Sequence, residues 1–240
     1  MRRLLVLFLL LCPGVGQADP PACTFPPDLQ LAPAELPLTR AAASVRRPIT
    51  IVTLGGSSTA GVAANGADYS YPMRLQAHLR SLRPELAVTV MNRAIPGGTT
   101  RARVDRLQSD MVALAPTLVI WAPGSTEAGK SEDPERFAAS LREGIARVRA
   151  TPADLVLIDL QYTPNIAKAI DLDRYNGIIA SISAELHVPL LKRAALMRHW
   201  NEAGVFTLDQ TPKREHVATL RRLFDCLATG MAEGIARSLP

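Results

Sequence analysis

From Ile49 onward the chain alternates two patterns, and that alternation limits the folds open to it. Continuous apolar, largely β-branched runs recur at 49–54, 87–92, 117–122, 155–160 and 188–191. None of them alternates apolar with polar residues. A strand that is apolar on both faces belongs in a sheet covered on both sides, which is the condition of a parallel sheet. Between the runs lie stripes with helical spacing. Val104, Leu107, Met111 and Leu114 form one, and Phe137, Leu141, Ile145 and Val148 another. Tyr175, Ile178 or Ile179, Ile182 and Leu186 make a third, and the last runs from Val217 through Leu220, Phe224, Leu227 and Met231 to Ile235. Repeated βα units joined by right-handed crossovers predict an α/β fold. It is a three-layer α/β/α sandwich around a central, mainly five-stranded parallel sheet, flavodoxin-like in plan. In such sheets ligands bind beyond the carboxyl ends of the strands. The loops after Leu54, Asn92, Ala122 and Leu160 are therefore expected on one surface.

The segment before this pattern is of another kind. Met1-Arg2-Arg3, the apolar run 4–11 and the small residues Gly16-Gln17-Ala18 follow the order of a secretory signal peptide over 1–18. The run is too short to span a bilayer, which takes roughly 20 residues. Bulky Leu11 before Cys12 argues against a lipid anchor. Residues 19–48 are rich in proline and alanine and read as an extended N-terminal arm. The domain itself is expected over 49–240, with no internal repeat and no later apolar stretch long enough for a membrane helix. The mature chain, about 220 residues, suits one α/β domain, expected as a monomer. Export leaves two cysteines, Cys23 and Cys226, and an even count in an oxidising compartment predicts a disulfide. The net charge of +5 is spread along the chain without long basic runs or interleaved aromatics, which argues against a nucleic-acid partner.

Four loops carry candidate chemistry. The first, 55–61, reads Gly-Gly-Ser-Ser-Thr-Ala-Gly after a strand. It lacks the glycine-to-Gly-Lys-Ser/Thr spacing of a phosphate loop and the Gly-x-Ser-x-Gly elbow of another hydrolase class. It can still present Ser57 or Ser58 beside the free amides of a helix start. The second loop, 92–99, contains Asn92, Gly97 and Gly98. The third, 121–127, contains Gly124, Ser125, Thr126 and Glu127. The fourth, 161–165, contains Tyr162, a candidate pocket wall. A serine nucleophile needs a base and a residue to orient it. Of His78, His187, His199 and His216, the first two read as lying in helices on the wrong side of the sheet, and His199 as part of a packed helical segment. His216 opens the last helix seven residues after Asp209, which makes it the preferred base. No metal ligand set and no cofactor motif is present.

The order and spacing of these blocks resemble the SGNH, or GDSL-like, hydrolase superfamily over roughly residues 49–236. The family's first block, Gly-Asp-Ser, matches Gly55-Gly56-Ser57, with Gly56 in place of the aspartate. The resemblance makes Ser57 the nucleophile candidate rather than Ser58. Asn92 and Gly97 match the second block, whose glycine amide joins the oxyanion hole. The third block, Gly-x-Asn-Asp, appears as Gly124-Ser125-Thr126-Glu127, with Thr126 in place of the oxyanion asparagine. The family's final Asp-x-x-His is altered: Pro212, not histidine, lies three residues after Asp209. The resemblance implies an exported serine ester hydrolase, of esterase, lipase or deacetylase type, acting on a small-molecule, glycan or lipid ester. Ser57 would attack, His216 would take the proton, Asp209 would orient His216, and the oxyanion would lie among Ser57, Gly97 and Thr126. The altered third and last blocks leave a second reading open, a protein of the same fold that binds a glycan or lipid without turnover.

Overall fold

A computed structural model of the chain describes residues 22–31, 35–209 and 213–240. The expected signal peptide, Cys12 and Pro212 lie outside the described residues. A five-stranded, all-parallel sheet forms the centre, in the order β2-β1-β3-β4-β5. Its strands are β1 (Ile49–Leu54), β2 (Val88–Asn92), β3 (Leu118–Trp121), β4 (Asp154–Ile158) and β5 (Leu190–Leu191). The expected strands are all present. Their ends shift by one or two residues, because ladder pairing rather than hydrophobicity decides where a strand stops.

Both faces of the sheet are covered, as continuous apolar strands require, except at edge strand β2, where Thr89 and Met91 are exposed. Ile49 and Ile51 of β1 point to one layer with Val88, Val90, Leu118, Ile120 and Val156. Helices α3 (Tyr71–Leu82), α9 (Arg193–Glu202) and α10 (Lys213–Arg237) cover that layer. Val52 and Leu54 point the other way with Val119, Trp121, Leu155 and Leu157. There they meet α4 (Thr100–Leu114), α6 (Pro134–Arg149) and α8 (Leu172–Glu185). The period-two alternation is therefore real but hidden, since both sets of side chains are apolar. Three short helices complete the loops: α2 (Ser57–Ala60), α5 (Ser125–Lys130) and α7 (Pro164–Ala169).

The N-terminal arm is not extended throughout. Pro37–Ser44 forms helix α1, with proline in its first turn, where a missing N–H costs nothing. The buried carboxylate of Asp154 holds it: its Oδ2 accepts from the Thr39 amide and the Thr39 hydroxyl, both at 2.7 Å. Leu31 and Leu36 sink into the first core layer beside α10 residues. Cys23 and Cys226 form the expected disulfide, with Cα atoms 5.7 Å apart. It ties the arm to the middle of α10. In the chain-entropy model, closing so long a loop stabilises by at most roughly 5 kcal/mol. No helix among the described residues is long and apolar enough to cross a membrane.

Candidate active site

The first loop leaves β1 and turns at once into α2. A Cβ on Gly55 would sit 2.0 Å from Thr59 Oγ1, so only glycine lets this turn close so tightly. Gly56 caps the helix, Ser57 is exposed, Ser58 is half-buried and Thr59 is fully buried. The first amides of a helix have no partner within it and face outward. Ser57 therefore stands beside donors suited to negative charge.

Side chains from distant segments hold the turn. Arg103, itself buried, donates to the carbonyls of Gly55, Ile95 and Arg93. Burial lowers the pKa of its guanidinium. Asn92 Nδ2 donates to the Thr59 carbonyl at 2.8 Å, while its Oδ1 accepts from the Ala94 amide at 3.1 Å. Asn92 thus braces the serine turn from behind. The Tyr71 and Thr59 hydroxyls are bonded at 3.0 Å, and Arg193 donates to Ser58 Oγ at 3.2 Å.

The second loop makes a turn from Ile95 to Gly98, closed by the Gly98 amide on the Ile95 carbonyl at 3.1 Å. Pro96 and Gly97 fill its central positions, and Gly97 has φ +72°, the arrangement of a type II turn. Gly97 is exposed, with open space around it. The third loop packs against the second. Thr126 Oγ1 donates to the Gly98 carbonyl at 3.0 Å. One oxygen of the buried Glu127 accepts from the Thr100 amide, which anchors the start of α4. Thr126 lines a narrow crevice with Gly55, Gly56 and Gly98, and not the cleft that Ser57 lines.

A cleft of about 320 Å³ brings together Ser57, Ser58, Asp209 and His216. Its wall is mostly apolar, from Ile166, Met197, Leu208, Leu220, Leu223 and Phe224. His216 is exposed in the first turns of α10. Among the described residues no hydrogen bond joins it to Ser57 or to Asp209. Asp209 instead accepts, through Oδ2, from the Asn165 amide at the start of α7. Tyr162, expected on the pocket wall, lies under the Arg198 guanidinium, 4.9 Å from its ring centre. Its neighbours Gln161 and Thr163 line the cleft in its place.

The other histidines lie elsewhere. His78 Nε2 meets Asp225 at 2.9 Å between α3 and α10. His187 is not within a helix; it sits in the turn after α8 with φ +50°. His199 Nε2 lies 3.4 Å from Thr24 Oγ1 on the arm. No group of three or more His, Cys, Asp or Glu among the described residues is placed to hold a metal ion.

Two buried groups that sequence reasoning missed lie under the cleft. Arg193, the first residue of α9, is only 2% exposed. Asp159, just past β4, accepts from the Ala194 amide at 2.9 Å. Burial pushes its carboxyl up to about 6, partly opposed by that amide and by Arg193. The only trace of either in the sequence is a charged residue directly after an apolar strand.

Comparison with known proteins agrees with this architecture. TesA aligns with a TM-score of 0.61 at 19% identity, over 76% of this chain and 97% of its own. A single-site variant of Axe2, an acetyl xylan esterase from Geobacillus stearothermophilus, aligns with a TM-score of 0.62 at 17% identity, over 78% of this chain and 94% of its own. LAE5, an alpha/beta hydrolase enzyme from the metagenome of Lake Arreo in Spain, gives 0.59 at 22% identity, over 76% and 95%. At such identities the likeness is one of fold, the α/β/α plan of SGNH hydrolases. No curated protein matches the chain. The sequence profile of one family spans residues 22–239, the arm included, and the chain therefore belongs to the Non-GDSL lipase-like family.

Proposed function

We propose that this protein is an exported serine ester hydrolase. The observation that carries the reading is the convergence of exposed Ser57, His216 and Asp209 on one cleft at the carboxyl ends of the strands. Ser57 Oγ attacks the ester carbonyl while His216 takes its proton. The tetrahedral oxyanion lies against the first amides of α2 and the amide of Gly97. His216 then returns the proton to the leaving alcohol, and water releases the acid from Ser57 by the same steps in reverse. Asp209, beside His216 in the cleft, favours the imidazolium that forms in each half. The apolar wall suits the hydrocarbon part of an acyl ester. Export is supported by the leader pattern at 1–18 and by the disulfide.

The test is covalent labelling of the mature protein with a fluorophosphonate, read by intact mass and peptide mapping. One adduct on Ser57, absent in Ser57→Ala, is expected. Absence of an adduct under conditions that label a control esterase overturns the reading.

A second reading has its own observation. The Asp209 carboxylate is engaged by the Asn165 amide, and the His216 ring has no hydrogen bond to it or to Ser57 among the described residues. A protein that binds a glycan or lipid in this cleft without turnover fits that arrangement. It predicts saturable binding that survives Ser57→Ala, and measurable ester turnover lost in Ser57→Ala excludes it.

A further inference from the structure

Arg193 is an unusual residue to find beneath an apolar cleft. It is 2% exposed, and its Nη1 donates to Ser58 Oγ at 3.2 Å. Its Nε and Nη2 are buried without a hydrogen-bond partner among the described residues. Tyr71 and Asp159 act on it through their charges, but Asp159 uses Oδ1 for the Ala194 amide and makes no hydrogen bond to the guanidinium among those residues. A buried cation held this way contributes little to folding; an apolar side chain of similar volume does as well or better. Among the described residues the guanidinium's one hydrogen bond is to a hydroxyl that lines the cleft with Ser57.

The chemistry of that bond settles the direction of the Ser58 proton. A guanidinium has five donors and no acceptor, so the Ser58 oxygen must accept. The Ser58 hydroxyl finds no acceptor of its own among the described residues. The side left to its proton is the cleft. The positive charge behind the oxygen makes that hydroxyl a stronger donor than an isolated serine. Ser57 and Ser58 line the same cleft, so an oxygen on the acyl part of an ester held at Ser57 is the acceptor offered to Ser58.

We propose that Ser58, backed by Arg193, is a specificity contact that donates to an oxygen on the second or third carbon of the acyl group. The substrates it selects are esters of short hydroxy or oxo acids, in preference to plain hydrocarbon acids of equal length. Arg193 is the positioning residue and touches no substrate. This rests on the reading of the cleft as an ester site. A plain acyl chain leaves the Ser58 proton facing apolar walls, and an unmade bond to a charge-backed donor costs more than a neutral one.

The experiment compares kcat/KM for p-nitrophenyl 3-hydroxybutyrate and p-nitrophenyl butyrate in the mature protein. A preference of about 10-fold for the hydroxy ester is expected, in line with one charge-assisted hydrogen bond. Ser58→Ala brings the ratio to about one, Ser58→Thr keeps it, and Arg193→Met lowers it. A ratio near one in an active wild type overturns the proposal, as does a ratio unchanged in Ser58→Ala. The serine variants decide the matter if Arg193→Met does not fold. If the wild type hydrolyses neither ester, the fluorophosphonate adduct decides the hydrolase reading separately and binding tests this one. Calorimetric Kd values for 3-hydroxybutyrate and butyrate are then expected to differ about 10-fold in the wild type and not in Ser58→Ala. Equal Kd values overturn it.

Discussion

At the serine end of the cleft, the side chains of Arg103, Asn92, Tyr71 and Arg193 grip Gly55, Ser58 and Thr59 of the serine turn. They come from α4, β2, α3 and α9, and each bond is made to a named carbonyl or hydroxyl. At the histidine end, His216 sits exposed on α10, and Asp209 commits an oxygen to the Asn165 amide. The same cleft therefore has one end whose geometry the fold imposes and one end whose geometry rests on a single helix. Catalytic groups must be held within a fraction of an ångström by their surroundings. The turn that carries Ser57 is braced in this way before any ligand arrives. Under the proposed reaction, the histidine end would have to reach it in the complex, where catalytic hydrogen bonds often tighten.

The sharpest way to break this comparison is His216→Ala. If the histidine closes on Ser57 in the complex, kcat for an activated ester falls about 1000-fold. Fluorophosphonate labelling slows in step, while the unfolding midpoint stays within about 0.5 kcal/mol, as expected for an exposed residue. Unchanged kcat would mean that the base lies elsewhere and that the two ends are not partners.

Arg103→Met tests the other side. Three carbonyls lose a charged donor, and bonds of this kind contribute about 1.5–3 kcal/mol each. Because Met refills part of the volume, a net loss of about 3 kcal/mol in urea unfolding is expected. By contrast, Arg74→Met removes a half-exposed pair with Asp225 and should cost less than about 1 kcal/mol. Equal losses for the two would show that the grip on the turn is not special.

Asp159 lies under the same floor and gives the comparison a pH axis. Its carboxyl is raised from 3.8 to about 6, with burial the main cause. A carboxyl raised in the folded state stabilises the fold fully below its unfolded pKa and loses that contribution as pH rises through about 6. An asparagine in place of the acid stays neutral throughout. Wild type should therefore lose about 2 kcal/mol relative to Asp159→Asn between pH 4 and pH 7, measured by denaturant titration at each pH. A difference that does not change with pH would show that the carboxyl titrates alike folded and unfolded.

What the sequence disclosed follows the same division. The strands were legible because they are apolar on both faces, and the serine turn because glycine and small hydroxyl residues follow β1. The Cys23–Cys226 pair was legible from the count of cysteines alone. Helix α1 was hidden within a Pro/Ala-rich stretch. Its one local signal was Pro37 ahead of an alanine run, and its anchor is a lone aspartate 115 residues away in β4. Arg103 and Arg193 were illegible for a physical reason. A buried arginine and a solvated one are spelled alike, and their partners here are backbone carbonyls and a serine, which carry no charge to mark them. Tyr162 shows the opposite failure: the residue type suited a pocket wall, but Arg198 stacks on its ring and the flanking Gln161 and Thr163 face the cleft.

The smallest expected effect concerns Thr126, which stands where the resemblance places an oxyanion donor. A threonine hydroxyl has one proton, and here it goes to the Gly98 carbonyl at 3.0 Å. While that bond holds, Thr126 has nothing left to give an oxyanion, and its contribution is to fix the second loop against the third. Thr126→Ala should then cost about 1 kcal/mol of stability, the usual net value of one neutral hydrogen bond. It should change kcat less than about threefold. If the hydroxyl turns to the oxyanion during reaction, its removal instead lowers kcat about 100-fold or more, with little change in stability. The two outcomes lie far enough apart for one variant to separate them. The second would mean that the third loop is part of the catalytic apparatus at the serine end, and not only its support.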